Sequence, residues 1–417
     1  MPGNDEKRLL KIALPFYLFS ALSDLAPIYP MYLVMFSARG LDYEQLSILL
    51  AVWNIPVILL ELPSGVLADR WSKRGVLAIG MALKALAFLA WIMVPGFGGA
   101  CLGFVLWGCE SALCSGSRQA LLYETLRSHG REGEYEAAAG AAGAVGTAAL
   151  LVSEAAGGFF YACDPDLALA LSAAIAAAAA LCALGLGRSR PRPGSASAEG
   201  RAASGAGAAL LDEAPHPGLR GQLYALRDAI RDGGLFGILA ASVLAGAVFG
   251  TADEFDGMWA MERYGVPLAA VGLWALLPFG AGGLGKAAAG RLAKALGGRG
   301  MRRLGLALAL AGLSFLAAAL LPGLWGAAPY LLYYLAMSAL SLLFEGRLQA
   351  VAPDEGRATL LSFSSLLVTL LATCLSPLFG LAADKGGLGA AFALFALLTM
   401  AAALFLPRRP FARGRSS

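Results

Sequence analysis

Among the ionisable residues inside long apolar stretches of this chain, seven are candidates for chemistry: Asp24, Lys84, Glu110, Arg118, Glu154, Asp253 and Glu254. A charge at the centre of a bilayer costs about 2.5–3.5 kcal/mol on insertion scales, so it is held there by a cavity or a partner. Such groups can exchange protons or bind the charged part of a small solute. Asp24 leads the set, because Pro27 and Pro30 follow it. Those prolines remove helix hydrogen bonds and can bend or open the helix. A carboxylate there suits proton coupling or cation binding, and a structural ion pair is the alternative. Lys84 can neutralise Asp24 or Glu110, or meet an anionic group of a solute. Glu110, Cys114 and Arg118 recur every four residues and share a helix face. Arg118 can pair with Glu124 or with another helix.

Glu154 falls toward the outer end of its stretch. Asp253 and Asp256, three apart, share a face, with Glu254 between them. This cluster either draws cations to a vestibule or forms a solvated helix end. Trp53 and Trp107 are the aromatic residues chosen as cavity wall, although Trp and Tyr also anchor helices at membrane interfaces. Acids outnumber bases inside the apolar stretches, which points to a cationic or zwitterionic ligand.

These residues must be positioned by membrane-spanning helices. The chain is 58% hydrophobic and only 14% charged, against about 25% charged in soluble domains. A helix rises about 1.5 Å per residue, so crossing a hydrocarbon core of about 30 Å takes about 20 apolar residues. Twelve such spans can be drawn: 12–34, 45–67, 75–94, 100–122, 137–160, 167–187, 235–258, 267–290, 304–322, 328–346, 358–381 and 388–406. Barrel strands are excluded, since they alternate over only about 10 residues. Of the 32 Lys and Arg, only Arg39, Arg263 and Lys385 fall in outer connections. Lys84, Arg118 and Lys286 lie inside drawn spans, and the others lie on the opposite side. The positive-inside rule therefore puts both termini in the cytoplasm.

Residues 188–234 divide the chain. They begin with an Arg/Pro/Ser/Gly/Ala-rich run that reads as a flexible linker. They continue through Leu219, Leu223, Leu226 and Ile230, spaced as an amphipathic interfacial helix or as the start of the seventh span. The expected organisation is a six-helix bundle over 1–187, this linker, and a second six-helix bundle with a short tail over 235–417.

Other chemistries find little support. None of the six cysteines forms a CxxC pair, and His129 and His216 are the only histidines, so a metal site is not expected. The run "GAGGLGK" at 280–286 continues with Ala287 inside an apolar stretch, not with the Ser or Thr of a nucleotide loop. The basic residues form no nucleic-acid stripe. No cofactor, nucleic acid or enzymatic activity is expected.

Between spans two and three the chain reads Gly65-Val66-Leu67-Ala68-Asp69-Arg70-Trp71-Ser72-Lys73-Arg74. This resembles the G-x-L-A-D-R-x-G-R-K signature of the major facilitator superfamily, with Ser72 for glycine and the two basic types at 73 and 74 exchanged. The segments "LELPSGVLADR", "SGSRQALLYETL" and "VAPDEGRATLLSFSSL" resemble a bacterial drug-exporter-like branch. The resemblance implies an all-α membrane protein of twelve transmembrane helices in two bundles. It also implies an inner gate of Gly65, Asp69, Arg70, Lys73 and Arg74, with Asp69 meeting the start of the eleventh helix near Arg357. The antiporter mark of span five is incomplete: Gly140, Gly143, Gly146, Gly157 and Gly158 are present without its proline.

The expectation is a monomeric, proton-gradient-driven secondary transporter in the bacterial cytoplasmic membrane, in contact with lipid and exporting a small cationic or zwitterionic compound. The alternatives are a proton-coupled symporter importing a nutrient or metabolite, and a non-transporting receptor or scaffold. The cost of placing Asp24, Lys84 and Glu110 at mid-membrane speaks against the scaffold.

Overall fold

The computed structural model describes residues 4–70, 72–187, 233–296, 301–351 and 357–406. Ten helices among them are long and apolar enough to cross a membrane. The elements are α1 (Asn4–Asp24), α2 (Tyr32–Ala38), α3 (Tyr43–Arg70), α4 (Lys73–Met93), α5 (Gly96–Cys114), α6 (Ser117–Ser128), α7 (Tyr135–Cys163) and α8 (Pro165–Gly185). After the linker come α9 (Gly233–Asp253), α10 (Asp256–Tyr264), α11 (Val271–Leu296), α12 (Met301–Leu320), α13 (Ala327–Val351) and α14 (Arg357–Ala402). The spacing that suggests an amphipathic helix over 219–230 lies outside the described residues.

The count of ten differs from the twelve drawn spans for two physical reasons. The first drawn span is broken: α1 stops at Asp24, the chain turns through Pro27 and Pro30, and α2 resumes at Tyr32. The last two are joined, because Phe363–Phe405 forms one apolar run of 43 residues. At about 1.5 Å per residue that run is roughly twice a bilayer core. Gly387 interrupts it with φ 78° and ψ 168°, a backbone conformation that only glycine adopts without strain.

Elsewhere the boundaries follow local chemistry. Asp164 caps α8 by accepting from the Asp166 amide at 2.9 Å, and Pro165 stands at the first helical position, where its missing N–H costs nothing. Leu59, Leu181, Leu306, Leu310 and Leu332 stay exposed on long helices, as side chains facing lipid do.

Within residues 4–187, α4 packs between α5 and α8, α3 lies on α5, and α1 lies on α7. Within 233–406, α14 packs on α9 and α12, and α13 on α11. The two groups meet chiefly through α3 against α14 and α7 against α11. The second contact is backbone-close. A side chain at Gly272 would strike the Glu154 carbonyl, so only glycine permits this approach.

Candidate functional site

Both groups of helices open with a broken helix, and the breaks supply the site. In the first, the chain loses helical bonds between Asp24 and Tyr32. Neighbouring helices replace them, as a break at membrane depth requires. Lys84 on α4 donates to the Ser23 carbonyl at 2.7 Å. Ser153 on α7 accepts from the Ala26 amide at 2.7 Å, and Ser172 on α8 accepts from the Ile28 amide at 3.1 Å. A cation at a helix C-terminus also meets the negative end of the macrodipole.

The second break lies between α9 and α10, and carboxylates occupy it. Asp253 accepts from Tyr334 Oη at 2.7 Å. Asp256 accepts from Tyr330 Oη at 2.7 Å and from Trp274 Nε1 at 3.1 Å. Glu254 accepts from Tyr32 Oη, a bond that crosses from one group of helices to the other. Tyr330 and Tyr334 are four apart, which puts both phenols on the face of α13 that meets these acids.

A cavity of about 730 Å³ lies between the two groups. Tyr29, Tyr32, Trp53, Phe104 and Trp107 form an aromatic wall from the first group, and Asp253, Glu254 and Asp256 an acidic wall from the second. Tyr29 stacks on Trp107 with centroids 5.5 Å apart and planes 10° apart, and Trp53 meets Trp107 at 6.1 Å. The Trp53 indole N–H is buried with no hydrogen-bond partner among the described residues, so the wall carries one unused donor. Glu154 adds a fourth carboxylate. Its charged neighbours are Asp253, Asp256 and Glu254, and it makes no hydrogen bond or ion pair among the described residues. Lys286 lines the same cavity as an exposed cation. A set of this kind can hold an ammonium against acids and rings.

Of the residues singled out from the sequence, Glu154, Asp253, Glu254, Trp53 and Trp107 line this cavity. Asp24, Lys84, Glu110 and Arg118 do not. Asp24 pairs with Arg118 at 3.8 Å, each side chain over a third exposed. Glu124, the partner considered for Arg118, instead pairs with Lys73 at 2.8 Å. Lys84 and Glu110 are both buried, and Lys84 feels Glu110, Tyr29 and Asp24 electrostatically. Its ammonium sits 5.2 Å from the Tyr29 ring centroid, behind the cavity wall.

Gly65, Asp69 and Arg70, expected at an inner gate, fall where side-chain placement lies outside the described residues, as does the stretch before Arg357. Arg74 opens α4 beside Lys73. Asp256, read from the sequence as part of the acidic cluster, joins the cavity wall, while Lys286, Tyr32, Tyr330 and Tyr334 carried no such reading. The i,i+4 phenols of α13 were the available signal, but nothing local says which acids they meet.

A bundle of long apolar helices around one central cavity, with two broken helices at its wall, defines a multi-pass integral membrane transporter. A model of the Major Facilitator Superfamily matches residues 14–346, and the chain belongs to that family. It is a family of transporters, not of enzymes, that moves small organic molecules by alternating access using ion gradients.

The uncharacterized MFS-type transporter YxaM of Bacillus subtilis (strain 168) is 31% identical over 107 residues, covering 24% of this chain and 26% of that protein. The match thus spans about a quarter of that relative's length. The structure of the nucleoside transporter NupG superposes with a TM-score of 0.67 at 15% identity, covering 95% of this chain and 97% of that one. A bacterial homolog of the human lysosomal transporter Spinster, inward-facing and unoccupied, gives 0.70 at 16% identity, covering 97% and 95%. A POT family transporter in complex with a thioalcohol-conjugated peptide gives 0.65 at 12% identity, covering 95% of each chain. At these identities the likeness is one of fold.

Proposed function

We propose that this protein is a proton-coupled symporter that takes up a small cationic or zwitterionic metabolite through the cavity between its two groups of helices. The observation that carries this reading is the arrangement of four carboxylates around one cavity, three held by phenol or indole donors and Glu154 held by none. Three fixed acids make a site for an ammonium group. The fourth is free to change protonation without breaking a hydrogen bond. The Asp24–Arg118 pair is a second proton-coupling candidate, since an ion pair that exposed can open.

We take uptake over the export direction expected from the sequence; what supports it is that the structural neighbours named above include a nucleoside transporter and a peptide-bound transporter, whose compounds are of the nutrient and metabolite class. Export remains the second reading, favoured by the exporter-like segments around Asp69, Arg118 and Arg357. Twelve spans follow if the broken α1–α2 is counted as one crossing and α14 as two, divided at Gly387. The chain then forms two six-helix bundles joined by 188–234, with both termini cytoplasmic and an inner gate at Gly65, Asp69, Arg70, Lys73 and Arg74. A single chain encloses the cavity, which supports a monomeric transporter.

Counterflow in vesicles containing the purified protein tests this. The panel is labelled amines, amino acids, nucleosides, dipeptides and organic anions. Exchange of an amine-bearing compound, driven inward by an acidic exterior, is expected. Glu154→Gln should retain exchange and lose the drive. Strict preference for anions, or transport indifferent to the pH gradient, overturns the reading. Proton flux opposite in direction to the substrate selects export.

A further inference from the structure

We propose that Asp384 is an outer-gate residue, a carboxylate on α14 that latches the two groups of helices together by capping the N-terminus of α3. A helix begins with four backbone N–H groups that have no partner within it. The first turn of α3 divides these donors between two sources. Its own half supplies a capping box: Gln45 N–H donates to Asp42 Oδ1 at 2.8 Å, and Asp42 N–H donates to Gln45 Oε1 at 3.2 Å. The amides of Tyr43 and Glu44 then remain. Asp384 takes both, accepting from Tyr43 N–H on Oδ1 at 3.0 Å and from Glu44 N–H on Oδ2 at 2.8 Å.

Asp384 lies more than 340 residues away along the chain, on the other group of helices. The helix N-terminus favours a negative charge at this place. Tyr43 Oη also donates to Glu262 on α10, so the start of α3 is tied to two elements of the far half. Every hydrogen bond between the two groups among the described residues lies in one of these contacts or in Tyr32–Glu254. Separating α3 from α14 at this end therefore frees two amides and a carboxylate together. In an alternating-access cycle that separation is the opening of this end. The latch stands at the opposite end of α3 from Asp69.

The test reads the conformation without a substrate, so it does not depend on what is carried. All six native cysteines are replaced, and Ser338→Cys is introduced in the cavity wall. Right-side-out vesicles are then treated with a membrane-impermeant maleimide. Asp384→Ala should raise the labelling rate about fivefold, the size expected of an exposed charge at a helix end. Asp384→Asn, which keeps one acceptor, should fall between, and Asp384→Glu should restore the slow rate. Asp166→Ala breaks an outer ion pair to Arg39 confined to one half and should change nothing. If Asp384→Ala is poorly inserted, Asp384→Asn carries the comparison. Labelling within about 1.3-fold of the parent for both variants overturns the latch, since an exposed helix-end charge is worth about 1.7- to fivefold.

Discussion

The broken helices at the start of each half solve one physical problem with opposite chemistry. At Asp24–Tyr32 the freed backbone groups are met by a lysine and two serines, and the prolines make the break permanent. At Asp253–Asp256 the acids themselves occupy the break, and phenols and an indole from other helices hold them. The first break is a repair, with its charged partners turned away from the cavity. The second presents its charged groups to the cavity. An interrupted apolar segment in corresponding positions of two halves marks a binding site in repeat-built transporters. Here the second interruption provides the acids and the first provides the aromatic wall through Tyr29 and Tyr32.

Substitutions can break this contrast, beginning with the largest effect on stability. Asp256→Ala leaves the buried Tyr330 hydroxyl and Trp274 N–H without their acceptor and should cost about 3 kcal/mol. Thermal unfolding in detergent reads it, and a variant as stable as the parent would show that the acid is not structural. Lys84→Met removes the donor to Ser23 and the cation near Glu110, and about 2 kcal/mol is expected, with partial recovery in Lys84→Arg. Equal behaviour of the Met and Arg variants would remove the lysine from the repair.

Ser153→Ala leaves the Ala26 amide unmet and should cost about 1 kcal/mol. Faster hydrogen exchange at that amide is the direct measurement. Glu154→Gln should change stability by less than about 0.5 kcal/mol, because no hydrogen bond is lost. A large drop in melting temperature would mean that Glu154 is part of the scaffold.

Much of the fold was legible because the bilayer constrains it so strongly. Long apolar runs must be helices, and the basic residues sort to one side. The outcome at particular residues divides by the range of the interaction. Glu154, Asp253, Glu254, Trp53 and Trp107, singled out by residue type, line the cavity. Asp24 was placed on the right broken helix, yet its partner is Arg118 rather than Lys84. Glu124 went to Lys73, since α6 turns it toward the start of α4. Asp384 carried no sequence signal, because an acid at a helix end looks like any solvated residue until the facing helix is known.

The sequence by itself determined that the chain is a stack of membrane helices, where the first of them can bend or open, and which acids are too costly to be incidental. Those follow from local hydrophobicity, proline chemistry and the energy of a charge in lipid. Only the tertiary structure decided which acids share a cavity, which donors hold them, and which half supplies the cap for α3. Each of these depends on groups distant along the chain, from 18 residues for Asp256 and Trp274 to 341 for Tyr43 and Asp384, meeting within about 3 Å, the reach of a hydrogen bond, and spacing along the chain carries no such distance.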